Sequence, residues 1–146
     1  MKKVNKFISV CVMLLMLTAS CLPVFAAMQS SSDTIVYLPP NQVWSKGYGA
    51  SHDANYSRVG ARCLSVYPTN SGPDLFSAIR CKVVDTLDIT ISKNAYVILN
   101  ETVSAYTPIS LAEGYLNTNY VYFKFCGNTN SNANAVVSYI GTYIGN

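Results

Sequence analysis

The sequence predicts an all-β, single-domain protein: an antiparallel β-sandwich of Greek-key or jelly-roll type, with a small β-barrel as the alternative closure. Three observations carry this. Apolar residues recur with period two in short runs, and no long stretch has a helical period. Clusters of Pro, Gly, Asn and Ser separate these runs at short intervals, as in sandwiches and barrels. Asn, Ser, Thr and Tyr are plentiful while charged residues make up only 12% of the chain, which is a folded composition rather than a disordered one.

The elements follow in order. Thr34 to Leu38 is a β-rich run stopped by Pro39-Pro40, and Gln42 to Ser45 is a short second strand. Between Tyr56 and Tyr67 the odd positions Val59, Ala61 and Cys63 are apolar and Arg58 and Arg62 are even. Between Phe76 and Val84 the odd positions are Ile79, Cys81 and Val83, with Arg80 and Lys82 even. Leu87, Ile89 and Ile91 alternate with Asp88, Thr90 and Ser92. Tyr96 to Leu99 is continuously apolar, Val103 to Leu111 is weaker, and Tyr120 to Cys126 and Ala135 to Tyr143 are strong. The last two are joined by GNTNSNAN, residues 127 to 134, which reads as a hairpin loop.

Residues 1–26 read as a secretory signal peptide. Lys2, Lys3 and Lys6 form a basic start, Phe7 to Leu17 is apolar, and Val24-Phe25-Ala26 offers a cleavage site after Ala26. The apolar run is short for a span of about 20 residues, so no stable membrane insertion is expected after cleavage. A lipid anchor on Cys21 is the alternative, but Leu17 stands one position too early and an apolar stretch follows. Residues 27–33 form a flexible leader and residues 34–146 the sandwich domain. The chain's net charge of +3 resides in the three signal lysines; beyond them seven basic and seven acidic residues balance. No excess of Lys and Arg remains for nucleic acid or for an anionic membrane. The expected localisation is secreted or extracellular.

Three cysteines follow the signal: Cys63, Cys81 and Cys126. An exported protein is permitted disulfides, and an odd count leaves one thiol over. PTNSGPD, residues 68 to 74, is a strong turn signal. A hairpin pivoting at Gly72 sets Cys63 opposite Cys81, Ala61 opposite Val83 and Arg62 opposite Lys82, with the apolar set on one face. A disulfide between Cys63 and Cys81 would then add about 3 kcal/mol. Two buried thiols filling core positions are the alternative. Cys126 is the unpaired thiol or an alternative partner of either. The like-charge pair Arg62 and Lys82 calls for an acidic neighbour, a bulge or another register.

Catalytic chemistry is poorly represented, and no enzyme is expected. The sole histidine, His52, lies in the polar stretch ASHDAN and reads as an exposed loop residue without a nucleophile elbow. There is no zinc-type spacing, phosphate loop or dinucleotide fingerprint, and the asparagine-rich 127–134 segment lacks the carboxylates a calcium loop needs. No cofactor or metal is expected. A carboxylate pair assembled in space for glycoside hydrolysis stays open. Binding is better supported, because Tyr, Trp, Asn and Ser provide flat apolar area with adaptable hydrogen bonds. VWSKGYG, residues 43 to 49, is the most pointed feature. Trp44, Tyr48 and Tyr56 are the candidate ligand-binding residues, with a core position as the competing reading for Trp44 and a loop anchor for Tyr48.

Residues 43–60, VWSKGYGASHDANYSRVG, resemble the start of mature lactococcin 972-type bacteriocins through Trp44, Gly47-Tyr48-Gly49, Asn55-Tyr56-Ser57 and Gly60. That resemblance implies a small secreted β-sandwich acting on a cell-wall precursor. This chain departs from the family in being longer and in carrying three cysteines. The residues themselves point to a secreted, non-catalytic binding protein whose partner is a glycan, a cell-wall component or a protein. The alternatives are a bacteriocin-like toxin and, third, a small exported enzyme or an inhibitor of one.

Overall fold

Thr34–Leu38 forms strand β1 with Val36 and Leu38 turned inward and Ile35 and Tyr37 outward, the alternation a half-buried strand requires. The computed structural model describes residues 33–68 and 77–145. Seven further strands follow: β2 (Tyr48–Ser51), β3 (Arg58–Pro68), β4 (Ala78–Val84), β5 (Val97–Asn100), β6 (Thr107–Ser110), β7 (Tyr120–Cys126) and β8 (Ala133–Ile140). A 3-10 turn, Glu113–Tyr115, lies between β6 and β7. The signal segment with Cys21 and Ala26, residues 27–32 of the leader, and residues 69–76 of the turn lie outside the described residues.

The strands form two antiparallel four-stranded sheets. The first has the order β1-β8-β3-β6 and the second β2-β7-β4-β5. This is the jelly-roll arrangement, a sandwich rather than a closed barrel. The core fills the space between the inner faces. Val36, Leu38, Val59, Ala61, Ile109, Ala135 and Val137 come from the first sheet, and Ile79, Val83, Leu99, Val121, Phe123 and Phe125 from the second.

The topology corrects the hairpin expectations. Among the described residues β4 and β5 are the only consecutive strands that pair. β3 and β4 belong to opposite sheets, so Cys63 pairs in register with Val137, and Cys81 with Phe125 and Val97. Arg62 lies opposite Ser138, and Lys82 opposite Lys124. Likewise β7 and β8 do not pair; the asparagine-rich loop crosses from one sheet to the other. Period-two patterning sets which side chains face inward, but an inward face is equally served by either sheet of a sandwich.

Two strand expectations also change. Leu87 to Ile91 forms a turn, not a strand, because the Asp85 carboxylate accepts the N–H groups of Leu87 and Ile89, both at 2.9 Å, and Asp88 adopts a left-handed backbone with φ 65°. Leu87 is accordingly 76% exposed. Gln42 to Ser45 is not a strand; the second strand is the glycine-containing Tyr48–Ser51.

The three cysteines among the described residues, Cys63, Cys81 and Cys126, are free thiols. Cys63 and Cys81 are core residues on the inner faces of opposite sheets. Cys126 has the other parity: it follows inward-facing Phe125 and lies under the 41–45 segment, its thiol 3.0 Å from the accepting Gln42 carbonyl oxygen. The odd thiol is therefore separated from the other two by the sheet itself. A register shift between Cys63 and Ser65 marks a β-bulge in β3. Just beyond it the Glu101 carboxylate accepts the Val66 N–H at 3.0 Å.

Candidate functional site

The outer face of the second sheet gathers basic and aromatic side chains. Parity places Arg80 and Lys82 of β4 outward beside Tyr122 and Lys124 of β7, while Ile79, Cys81, Val83, Phe123 and Phe125 point into the core. Lys82 and Lys124 are direct cross-strand partners.

Each cation is held by a neighbour. The Lys82 ammonium stands 4.8 Å from the centroid of the Trp44 ring. The Arg80 guanidinium donates to Gln42 Oε1 at 3.0 Å and to Asn128 Oδ1 at 3.2 Å, and lies 5.2 Å from the Tyr96 ring. The Lys124 ammonium donates to Asp88 Oδ2 at 2.7 Å. That contact holds the Asp88 carboxyl below the usual aspartate range.

The 41–47 segment frames this face by design of its sequence. Pro39-Pro40 ends β1, and Asn41 and Gln42 then take left-handed backbone at φ 58° and 57°. This turn carries the chain from the first sheet onto the outside of the second. Ser45 clamps it there: its N–H donates to the Phe125 carbonyl at 2.8 Å and its hydroxyl accepts the Phe125 N–H at 3.0 Å. Gly47 lets the segment lie against Tyr122, whose Cβ would be 3.2 Å from any added Cβ.

Between these parts lies an open hollow of about 250 Å³, lined by Gly47, Val84, Asp85, Thr86, Asp88, Tyr122 and Lys124. It offers one aromatic ring, two hydroxyls, an amine and two carboxylates. Of the two, Asp85 is committed to its own turn and Asp88 to Lys124. Among the described residues, no group of three or more His, Cys, Asp or Glu gathers as a metal site.

Of the residues singled out in the sequence, Trp44 reaches this face, half-buried beneath Lys82 and outside the core cluster. The core reading of Trp44 is thereby corrected. Tyr48 instead points between the sheets, with ring centroids of Phe125 and Tyr139 at 6.0 and 6.3 Å; burial and the nearby Tyr139 push its hydroxyl pKa up. It packs against the core because its register partner, Phe123, faces inward. Tyr56 is half-buried in the β2–β3 turn, its N–H donating to the Asp53 carbonyl. The 43–60 stretch is thus divided among an outer-face segment, an inward-facing strand and a turn.

His52 is corrected as well: it is only 5% exposed. Gly141 makes this possible. A Cβ there would stand 1.8 Å from the Ser51 carbonyl oxygen, so only glycine lets the C-terminal segment approach β2 this closely. His52 Nδ1 then donates to the Gly141 carbonyl, while Nε2 is buried with no hydrogen-bond partner among the described residues.

Arg80, Lys82, Tyr122, Lys124 and Asp88 were not foreseen as site residues. Their signal was parity: the polar side of β4 and β7 is basic and aromatic where solvation alone asks only for polarity. Comparison with protein-family models, with curated proteins and with solved structures finds no match for this chain. The class is therefore defined by the fold and the face: a jelly-roll sandwich with a cation-and-aromatic outer sheet surface.

Proposed function

We propose that the protein is a secreted, non-catalytic binding protein that takes a glycan of the cell surface or cell wall on the outer face of its second sheet. The observation that carries this is the hollow beside Tyr122. At about 250 Å³ it is below the roughly 300–1,000 Å³ of pockets for drug-sized ligands, and suits a sugar-sized unit of a longer chain. A ring for the apolar side of a sugar stands there beside hydroxyl, amine and carboxylate groups that suit its hydroxyls. The open sheet surface continues past Lys124 and Lys82 to Arg80, which suits an extended ligand rather than an enclosed one. The reading of the chain as a binder, not a catalyst, also draws on the commitment of both hollow-lining carboxylates to structural contacts.

The test is retention of the purified chain, from residue 27 onward, on insoluble cell-wall and polysaccharide fractions. Tyr122→Ala is expected to lose retention, while Tyr37→Ala on the outer face of the first sheet keeps it. Absence of retention on every fraction overturns the reading. A bacteriocin-like toxin would use the same capture step, and arrest of related growing bacteria by the purified chain separates it from a passive binder.

A further inference from the structure

Arg80 and Lys82 are two cations that the fold orients without neutralising. Among the described residues neither forms an ion pair; the ion pairs present are Arg62 with Asp33 and Lys124 with Asp88. Arg80 is steered by two neutral amide oxygens and a ring, and Lys82 by the Trp44 ring. These contacts fix direction without a directly paired counter-ion, Asp88 acting on Lys82 only at longer range. The chain beyond residue 26 has balanced charge, so this is a local excess rather than a reflection of overall basicity.

The spacing is that of a repeating ligand. Arg80 and Lys82 are two residues apart on one strand, roughly 7 Å along it. Lys124 sits across the ladder from Lys82, about 5 Å away between backbones. The arrangement also works against stability. Like charges directly opposed on a sheet are unfavourable. Among the described residues the non-glycine positions with positive φ, Asn41, Gln42 and Asp88, all border this face, and Gln42 and Asp88 each supply an oxygen to one of its cations. Left-handed backbone at non-glycine residues is enriched at ligand sites.

We propose that the ligand of this face is an anionic glycan, a chain whose repeating units carry phosphodiester or carboxylate groups, with successive anions on Arg80 and Lys82 and a sugar or polyol unit in the hollow by Tyr122. This rests on the glycan reading above and specifies its chemistry. A nucleic acid would offer anions too, but the two rings beside these cations are engaged by them, Trp44 by Lys82 and Tyr96 by Arg80, which leaves Tyr122 as one platform here and not a series for successive bases. The carboxylates of the hollow suit hydroxyl donors as well.

The experiment is titration of the purified chain, from residue 27 onward, with four soluble probes: poly(glycerol phosphate), polygalacturonate, dextran and a single-stranded DNA oligomer. One of the two anionic carbohydrate probes is expected to bind at least tenfold more tightly than dextran and than DNA; which one identifies the anion. Binding should weaken steeply as salt rises from about 50 mM to about 500 mM, where the Debye length falls to a few ångströms. Arg80→Gln and Lys82→Gln should each weaken it about tenfold, Lys82→Gln with no loss of unfolding midpoint. Asp88→Asn, which releases Lys124, should strengthen it. Equal binding of dextran, unaffected by Lys82→Gln, overturns the anionic inference and leaves the glycan reading standing. Preferential binding of DNA overturns it in favour of a general polyanion surface. No binding of any probe or wall fraction overturns both.

Discussion

Lys82 of β4 and Lys124 of β7 face each other directly across the antiparallel ladder on the outside of the second sheet. A pair of like charges in this position is destabilising, by a few tenths to about 1 kcal/mol. Lys124 has Asp88 as direct counter-ion at 2.7 Å, whereas Lys82 touches the Trp44 ring and feels Asp88 only at longer range. Lys82→Gln is therefore expected to leave stability unchanged or raise it by up to about 0.5 kcal/mol, measured by urea denaturation. A clear loss of stability would mean that the Lys82–Trp44 contact outweighs the repulsion.

Ser45 replaces a missing strand partner for Phe125. Its hydroxyl accepts the Phe125 N–H where the chain does not continue β2, and the site is buried. Ser45→Ala leaves that N–H without an acceptor, at a cost of about 1–2 kcal/mol. It also loosens the segment that carries Trp44. The expected outcome is a lowered unfolding midpoint together with increased solvent quenching of Trp44 fluorescence, Trp44 being the sole tryptophan. An unchanged emission would show that the ring is held by Lys82 alone.

How much of this was legible in the sequence follows from what each signal encodes. Period two gave β1 and β7 to the residue, and the inward sets of β3 and β4, because alternation reports burial on one face. It does not report which sheet a strand joins. Cys63 and Cys81 have matching parity and a strong turn between them, yet the jelly roll sends them to opposite sheets. β2 was missed because Tyr48-Gly49-Ala50-Ser51 has little β-propensity; its place is fixed by pairing with β7 and by Tyr120 packing over Gly49. His52 looked like a loop residue because its burial depends on Gly141, eighty-nine positions away. Trp44 was legible as notable, but its partner Lys82 is brought to it by topology alone.

Gly141 tests the closure at the C-terminal end. Its Cα approaches β2 so closely that a Cβ would meet the Ser51 carbonyl oxygen, a backbone atom that cannot swing aside. Gly141→Ala is expected to destabilise the fold by about 3 kcal/mol, the upper range for overpacking. His52→Phe, which keeps a ring in the buried site and removes the donor to the Gly141 carbonyl, should cost less, about 1–2 kcal/mol. The order of the two unfolding midpoints in chemical denaturation checks the argument; equal midpoints would show that the histidine contact, not the close approach, carries this closure.

The thiols link burial to both reactivity and pH. Cys63 and Cys81 lie in the core, and burial pushes the Cys63 thiol up to about 11 and the Cys81 thiol higher still. Glu101 adds to the rise at Cys63. Cys126 is raised too by its cover, with Arg80 and Lys82 pulling the other way. In the native state none should react with a thiol reagent at neutral pH on a time scale of minutes, and all three should react after unfolding. The pH consequence has a definite sign. A thiol whose folded pKa exceeds its unfolded value of 9.0 keeps its proton longer in the native state. The native state then binds more protons, and stability falls as pH rises above about 9. The slope is at most about 1.4 kcal/mol per pH unit for each thiol. For Cys63 it ends near pH 11, where the native thiol also ionises. Urea titrations at pH 7, 9 and 10 should show this decline, and Cys81→Ala should flatten it even as it lowers stability at pH 7 by opening a small cavity. A flat profile in the unmodified chain, or rapid native labelling of all three cysteines, would contradict the burial described here.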